Sequence, residues 1–296
     1  MKLALAAIGM SLALLFVVPS SARSASVSAG TSPTLAVEDT IPIPSALLPE
    51  FIVTAPRVTL DEILDRVAKG EARRDSMMKD QTYTMLGLVT YIEQKGGKPQ
   101  GKHKLDFASR VYKKQPDKVR EVTLRKRTDF EKKDDDDVEV TASPTMREQL
   151  VSFAFEPRLR ARYKFSIDRR HLIGGHVVYE IGFAPRSKLD ALPTGRVWVD
   201  TNEFVIVREE FWYRDRSPAP LFVKSIDSCV LERTQVDGQW WVLSRLLARV
   251  QLTSFARFMG RVAREDVPAT VDLTVMQTDW KINQGIDDSI FASQTK

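Results

Sequence analysis

Hydrophobic positions keep a helical period early in the chain, and most of the later sequence alternates between apolar and polar. Leu60, Ile63, Leu64, Val67 and Ala68 fall on one helical stripe, and Thr59 with Glu62 has the spacing of a capping box. This helix is predicted to end near Gly70 or shortly beyond, with one apolar face to bury. Strand-like segments then cover 82–92, 104–113, 119–127, 163–167, 176–184, 196–200, 204–214, 223–235, 240–258 and 270–277. Within them Tyr179, Ile181 and Phe183 alternate with Glu180 and Gly182, and Val271, Leu273 and Val275 with Asp272 and Thr274. Gly96-Gly97, Gln115-Pro116-Asp117, Gly174-Gly175, Thr201-Asn202 and Asp237-Gly238 supply turns between them. Strands joined so tightly are antiparallel, because a parallel return needs a crossover of about a dozen residues. The pattern therefore predicts a mainly β fold with few helices, a curved sheet wrapped around its first helix.

The rhythm breaks between Asp129 and Pro157. Asp134 to Asp137 form an acidic run that reads as a solvated loop. Calcium is the other reading, but the spaced oxygen ligands, glycine and distal glutamate of an EF-hand loop are absent. Ser143-Pro144 then opens a short predicted helix, with Met146, Leu150 and Phe153 at helical spacing.

Ahead of the first helix, Lys2, the apolar run from Leu3 to Val18, Pro19 and the small residues Ser20 and Ala22 have the form of a cleaved signal peptide. An uncleaved anchor is the rival, although about 20 apolar residues are needed for a span. No cysteine stands near the cut to carry a lipid. Residues 1–22 are thus assigned to the signal, 23–57 to a Pro/Ser/Ala-rich arm, and 58–296 to one β-rich domain. The arm carries Ile41, Ile43, Leu47, Leu48, Phe51 and Ile52, so part of it is expected to pack. Export implies a periplasmic location.

Composition narrows the picture. The formal charge of +5 arises from 44 basic and 39 acidic residues, a mixed surface unlike the concentrated field of a nucleic-acid binder. No nucleic-acid partner is expected, and a monomer is. Cys229 is the single cysteine, so no internal disulfide forms, and its strand setting reads as a small buried hydrophobe.

Apparent catalytic motifs fail on context. Residues 96–103 nearly match a phosphate-binding loop, but His103 replaces the required hydroxyl and a strand follows where a helix is needed. Ser76-Met77-Met78-Lys79 has the spacing of a penicillin-binding nucleophile without its companion elements. His171 and His176 flank a hairpin turn, yet no third metal ligand is evident. No catalytic residue, metal or cofactor is assigned.

Several segments carry a family likeness. Residues 111–120 (VYKKQPDKVR), the pair 194–200 (TGRVWVD) and 204–208 (FVIVR), and 286–291 (IDDSIF) resemble corresponding hairpins and the final segment of LolA/LolB-like periplasmic carriers and outer-membrane lipoprotein-sorting proteins. With the signal and the order of elements, the resemblance covers roughly Thr59 to Phe291. It implies an unclosed antiparallel β-barrel whose concave side is covered by helices and holds acyl chains. It also implies a non-catalytic carrier of lipoproteins, lipids or other hydrophobic cargo. The Pro-rich arm and the acidic insertion depart from the compact carriers, so an envelope scaffold or sensor with a protein partner stays open.

Candidate lining residues are Tyr179, Ile181, Phe183, Val197, Val199, Phe211, Tyr213 and Trp241, with Met146, Leu150 and Phe153 as a lid. Alternation identifies a face without saying whether that face is packed or open. Arg158, Arg160 and Arg162 would share one face of an extended segment, with Lys164 continuing it. They read either as a solvated edge or as a docking patch for anionic headgroups or an acidic partner.

Overall fold

The computed structural model describes residues 58–95, 98–129, 155, 157–213, 216–217, 219–255 and 269–292. The signal, the arm, the acidic run and the expected lid lie outside the described residues.

Ten strands form a single antiparallel sheet in the order β3-β2-β1-β10-β9-β8-β7-β6-β5-β4. They are β1 (Asp80–Lys95), β2 (Lys98–Lys114), β3 (Lys118–Thr128), β4 (Tyr163–Ile173), β5 (His176–Pro185), β6 (Thr194–Asp200), β7 (Ile206–Tyr213), β8 (Val223–Val236), β9 (Trp240–Leu252) and β10 (Thr270–Ile282). Each strand pairs with its neighbour in sequence, except that β10 closes back on β1 and β3 does not pair with β4. The sheet is therefore unclosed, as expected. Lys95 of β1 pairs with Lys98 of β2, so these strands make a hairpin with no helix after it, which removes the phosphate-loop reading.

Helix α1 spans Leu60–Met77 and is capped by Thr59, whose hydroxyl accepts from the Glu62 amide at 3.3 Å. Its buried positions Ile63, Leu64, Val67, Gly70, Glu71 and Arg74 make one continuous stripe. The helix does not stop at Gly70. That glycine lies against the β6–β7 turn, where an added Cβ would stand 2.4 Å from the Phe204 carbonyl oxygen. A missing side chain here permits close approach and does not end the helix.

The position of α1 requires the sheet to curve. At its start α1 lies against β4, where Leu60 and Leu64 line one groove with Tyr163 and Phe165. At its end, the Gln115 side-chain amide, between β2 and β3, donates to the Asp75 and Met78 carbonyls at 2.6 and 3.1 Å. A helix of 18 residues is roughly 27 Å long. From β2 to β4 a flat sheet of this order would measure roughly 38 Å at about 4.8 Å per strand. Both contacts are possible only because the strands wrap around the helix.

The outer face is polar and laced across strands. Glu232 accepts from Arg208 Nη1 at 3.0 Å and from Arg245 Nε at 2.7 Å, and Arg249 holds Asp272 through two hydrogen bonds of 2.7 and 2.8 Å. Two short helices complete the described fold: α2 (Pro157–Arg160) precedes β4, and α3 (Ser289–Ala292) lies against the edge strand β3. Lys114 and Lys118 both reach Asp288, beside α3, at 2.9 and 3.0 Å.

Candidate functional site

Sheet register aligns the inner side chains in rows beneath α1. One row runs Ile181, Val197, Glu209, Leu231, Leu246 and Val275 from β5 to β10. A parallel row runs Phe165, Phe183, Gly195, Phe211, Cys229 and Ala248. Gly195 leaves room there for its neighbours, since a Cβ would stand 2.8 Å from the Phe183 ring. Tyr213, Ile226, Val250, Val271 and Tyr91 form a third.

Seven of the expected lining residues, Tyr179, Ile181, Phe183, Val197, Val199, Phe211 and Tyr213, are buried on this face. Trp241 is buried too and packs with Val178, Val205, Val207 and Trp198. It faces Gln235 across the β8–β9 ladder, two positions from the Leu243–Arg233 pair, and lines a small pocket with Arg74 of α1 and Arg233. Its ring nitrogen donates to Glu203 at 3.2 Å. Met146, Leu150 and Phe153 lie outside the described residues.

The face opens at its β4 end. Leu60, Asp61 and Leu64 of α1 with Arg160, Ala161, Tyr163, Phe165 and Arg186 line a groove of about 370 Å³, within the range of small-ligand sites. Leu60, Leu64, Ala161, Tyr163 and Phe165 supply its apolar lining, and Tyr163 meets Phe183 edge-on at 5.8 Å. Asp61, Arg160 and Arg186 supply its charged lining.

The three arginines do not share one extended face. Residues 157–160 form α2, so Arg158 and Arg160 lie on a helical turn. Arg160 reaches across the groove mouth to Asp61, at 3.2 Å, and to Asp65 of α1. Arg162 pairs with Asp190 at 3.2 Å. Of the histidines, His171 contacts Glu180, while His176 Nδ1 lies 3.1 Å from Asp200. Among the described residues no three metal-ligating side chains come together.

Charged groups occupy the inner face where the sequence pattern suggested none. Glu71 of α1 accepts from Arg233 Nη1 and Nη2 of β8 at 2.7 and 2.9 Å and from the Ile206 amide at 2.8 Å. Burial pushes the Glu71 carboxyl up, but the Arg233 and Arg74 guanidiniums outweigh it and hold the group below its ordinary value. Glu209 is wholly buried without such help. Burial raises it well above the ordinary carboxylate range, against the pull of Arg233 and reinforced by the Glu71 charge. Cys229 is buried and its thiol is likewise raised, by burial and then by Glu209, so it is not a reactive thiolate.

A helix held inside an unclosed antiparallel sheet, with an apolar face opening at one edge, is the architecture expected of the sorting-protein class. No protein-family model matches the chain, and no curated protein does. Among solved structures, it is similar to a putative outer membrane lipoprotein-sorting protein domain from Vibrio parahaemolyticus. That match has 12% identity over 77% of this chain and 95% of that one, with a TM-score of 0.33. It is also similar to a LolA superfamily protein from Nitrosomonas europaea, with 11% identity over 79% and 97% and a TM-score of 0.29. A third is the lipoprotein LppX from Mycobacterium tuberculosis, with 9% identity over 77% and 99% and a TM-score of 0.26.

Proposed function

We propose that this chain is an exported, non-catalytic carrier or binding protein for lipid-like or lipidated cargo in the cell envelope. The observation that carries this reading is the groove of about 370 Å³ between α1 and β4, whose apolar lining continues into the rows beneath the helix. Each methylene moved from water onto such a surface contributes about 0.8 kcal/mol, so an acyl chain supplies ample affinity. Arg186 beside the groove suits an anionic or zwitterionic headgroup that stays in water while the chain enters, whereas Arg160 is held by Asp61 and Asp65. In this reading Met146, Leu150 and Phe153 close over the cargo, the signal directs the protein to the periplasm, and the mature protein is a monomer.

A second reading has one observation in its favour. Ile181, Val197 and Val199 are fully buried, which also suits a filled face serving as a scaffold for an envelope protein partner. Titration with a fluorescent apolar probe separates the two. A carrier binds it saturably and releases it to phospholipid, and substitution of Phe165 by Asp at the groove lowers affinity. A scaffold shows no saturable binding.

A further inference from the structure

Glu209 makes no hydrogen bond through its side chain within the described fold. It is 0% exposed, and neither carboxyl oxygen has a hydrogen-bond partner. Its partners in register are Val197 on β6 and Leu231 on β8, so the carboxyl sits in an otherwise apolar row. Arg233 spends Nη1 on Glu71 and the Ile206 carbonyl and Nη2 on Glu71, and its buried Nε makes no hydrogen bond to Glu209. Tyr213 and Cys229 lie close enough to feel the Glu209 charge, and so does Tyr163, which lines the groove.

A buried carboxyl with no cation hydrogen-bonded to it remains protonated and offers one O–H donor beside its own carbonyl. Buried polar groups are almost always paired, and an unpaired one destabilises the protein that carries it. What completes Glu209 must be neutral, since a charge so deep would itself need a partner. It must also accept a hydrogen bond without bringing a donor that the apolar rows cannot satisfy. An ester carbonyl meets both conditions.

We propose that Glu209 anchors the cargo: its carboxylic O–H donates to the carbonyl oxygen of an acyl ester whose chain lies along the inner rows, entering past Tyr163 from the groove. This deepens the binding-protein reading and rests on it. The ligand class narrows from any hydrophobic molecule to acyl esters of glycerol or of a lipidated protein, with the headgroup left beside the groove.

The test compares two ligands that differ only at the carbonyl, 1-palmitoyl-glycerophosphocholine and its 1-O-hexadecyl ether counterpart. Each displaces a fluorescent apolar probe from the full mature chain. The wild type is expected to bind the ester roughly tenfold more tightly, the scale of one buried hydrogen bond. Glu209→Gln, which keeps an N–H donor, retains most of that preference, whereas Glu209→Leu binds both ligands equally and holds the ether as the wild type does. Glu209→Leu is expected to melt no lower than the wild type; if it does melt lower, Glu209→Met takes its place. An ester preference that survives removal of Glu209, or its absence from the wild type, overturns the anchor while leaving the carrier reading intact. Failure of the wild type to bind either ligand overturns both.

Discussion

Glu71 and Arg233 face each other in a bidentate ion pair that fastens α1 to β8, with both side chains almost fully buried. Such a pair need not add net stability, but removing one partner strands a charge in the interior. Glu71→Ala and Arg233→Ala are each expected to destabilise the protein by about 3–5 kcal/mol. The double replacement Glu71→Leu with Arg233→Met is expected to lose less than either single change. Urea unfolding of the three variants measures this directly.

The two buried glutamates give opposite pH dependences. Glu71 titrates below its ordinary value of 4.5 in the fold, so its contribution is present above that value and lost as pH falls through the lower folded one. Glu209 titrates well above 4.5 in the fold, so its contribution is complete below that value and lost as pH rises toward the folded one. As pH rises above the ordinary carboxylate range the wild type should lose stability, at up to about 1.4 kcal/mol per pH unit, until Glu209 ionises in the fold. Glu209→Gln cannot ionise and should remove that slope, so its melting temperature falls less than that of the wild type as pH rises from the ordinary carboxylate range.

Gly70 tests the close approach of α1 to the β6–β7 turn. A Cβ there would meet backbone oxygens of Phe204 and Glu203 at 2.4 and 2.7 Å, and backbone cannot step aside as a flexible side chain can. In an exposed helix Gly→Ala would stabilise by about 1 kcal/mol. Here Gly70→Ala is expected to destabilise by about 1–3 kcal/mol through overpacking. The exposed neighbour Lys69→Ala should change little, and thermal melts of the two variants compare them.

The outer ladder should matter far less. Glu232 pairs with Arg208 and Arg245 at 3.0 and 2.6 Å, but both arginines are solvent-accessible. Glu232→Ala is expected to cost under about 1 kcal/mol, with the difference shrinking at high salt. Urea melts at low and high ionic strength give both numbers.

The ten strands and the capped helix were legible because each repeats a short-range signal: alternation, a turn, or the Thr59 cap. The extent of α1 was not, because Gly70 reads locally as a helix end when its absent side chain serves the β6–β7 turn. Residues 157–160 read as extended because Arg158, Arg160 and Arg162 alternate, whereas the chain makes a helical turn that lets Arg160 reach Asp61 and Asp65. The buried charges were missed for a different reason. Glu71, Arg74, Glu209 and Arg233 have residue types that usually face water, yet their positions carried a signal. Glu209 is two residues before Phe211 and four before Tyr213, so period two places it among the chosen lining residues. Glu71 and Arg74 continue the stripe of Val67 at helical spacing.

Native mass spectrometry of the protein purified gently from its own host envelope tests the central claim most directly. The account predicts a stoichiometric lipid or lipopeptide adduct containing acyl esters, displaced by 1-palmitoyl-glycerophosphocholine and reduced in Glu209→Leu. A protein that flies bare under conditions where a reference lipid carrier keeps its ligand, and that takes up no added acyl ester, would contradict it.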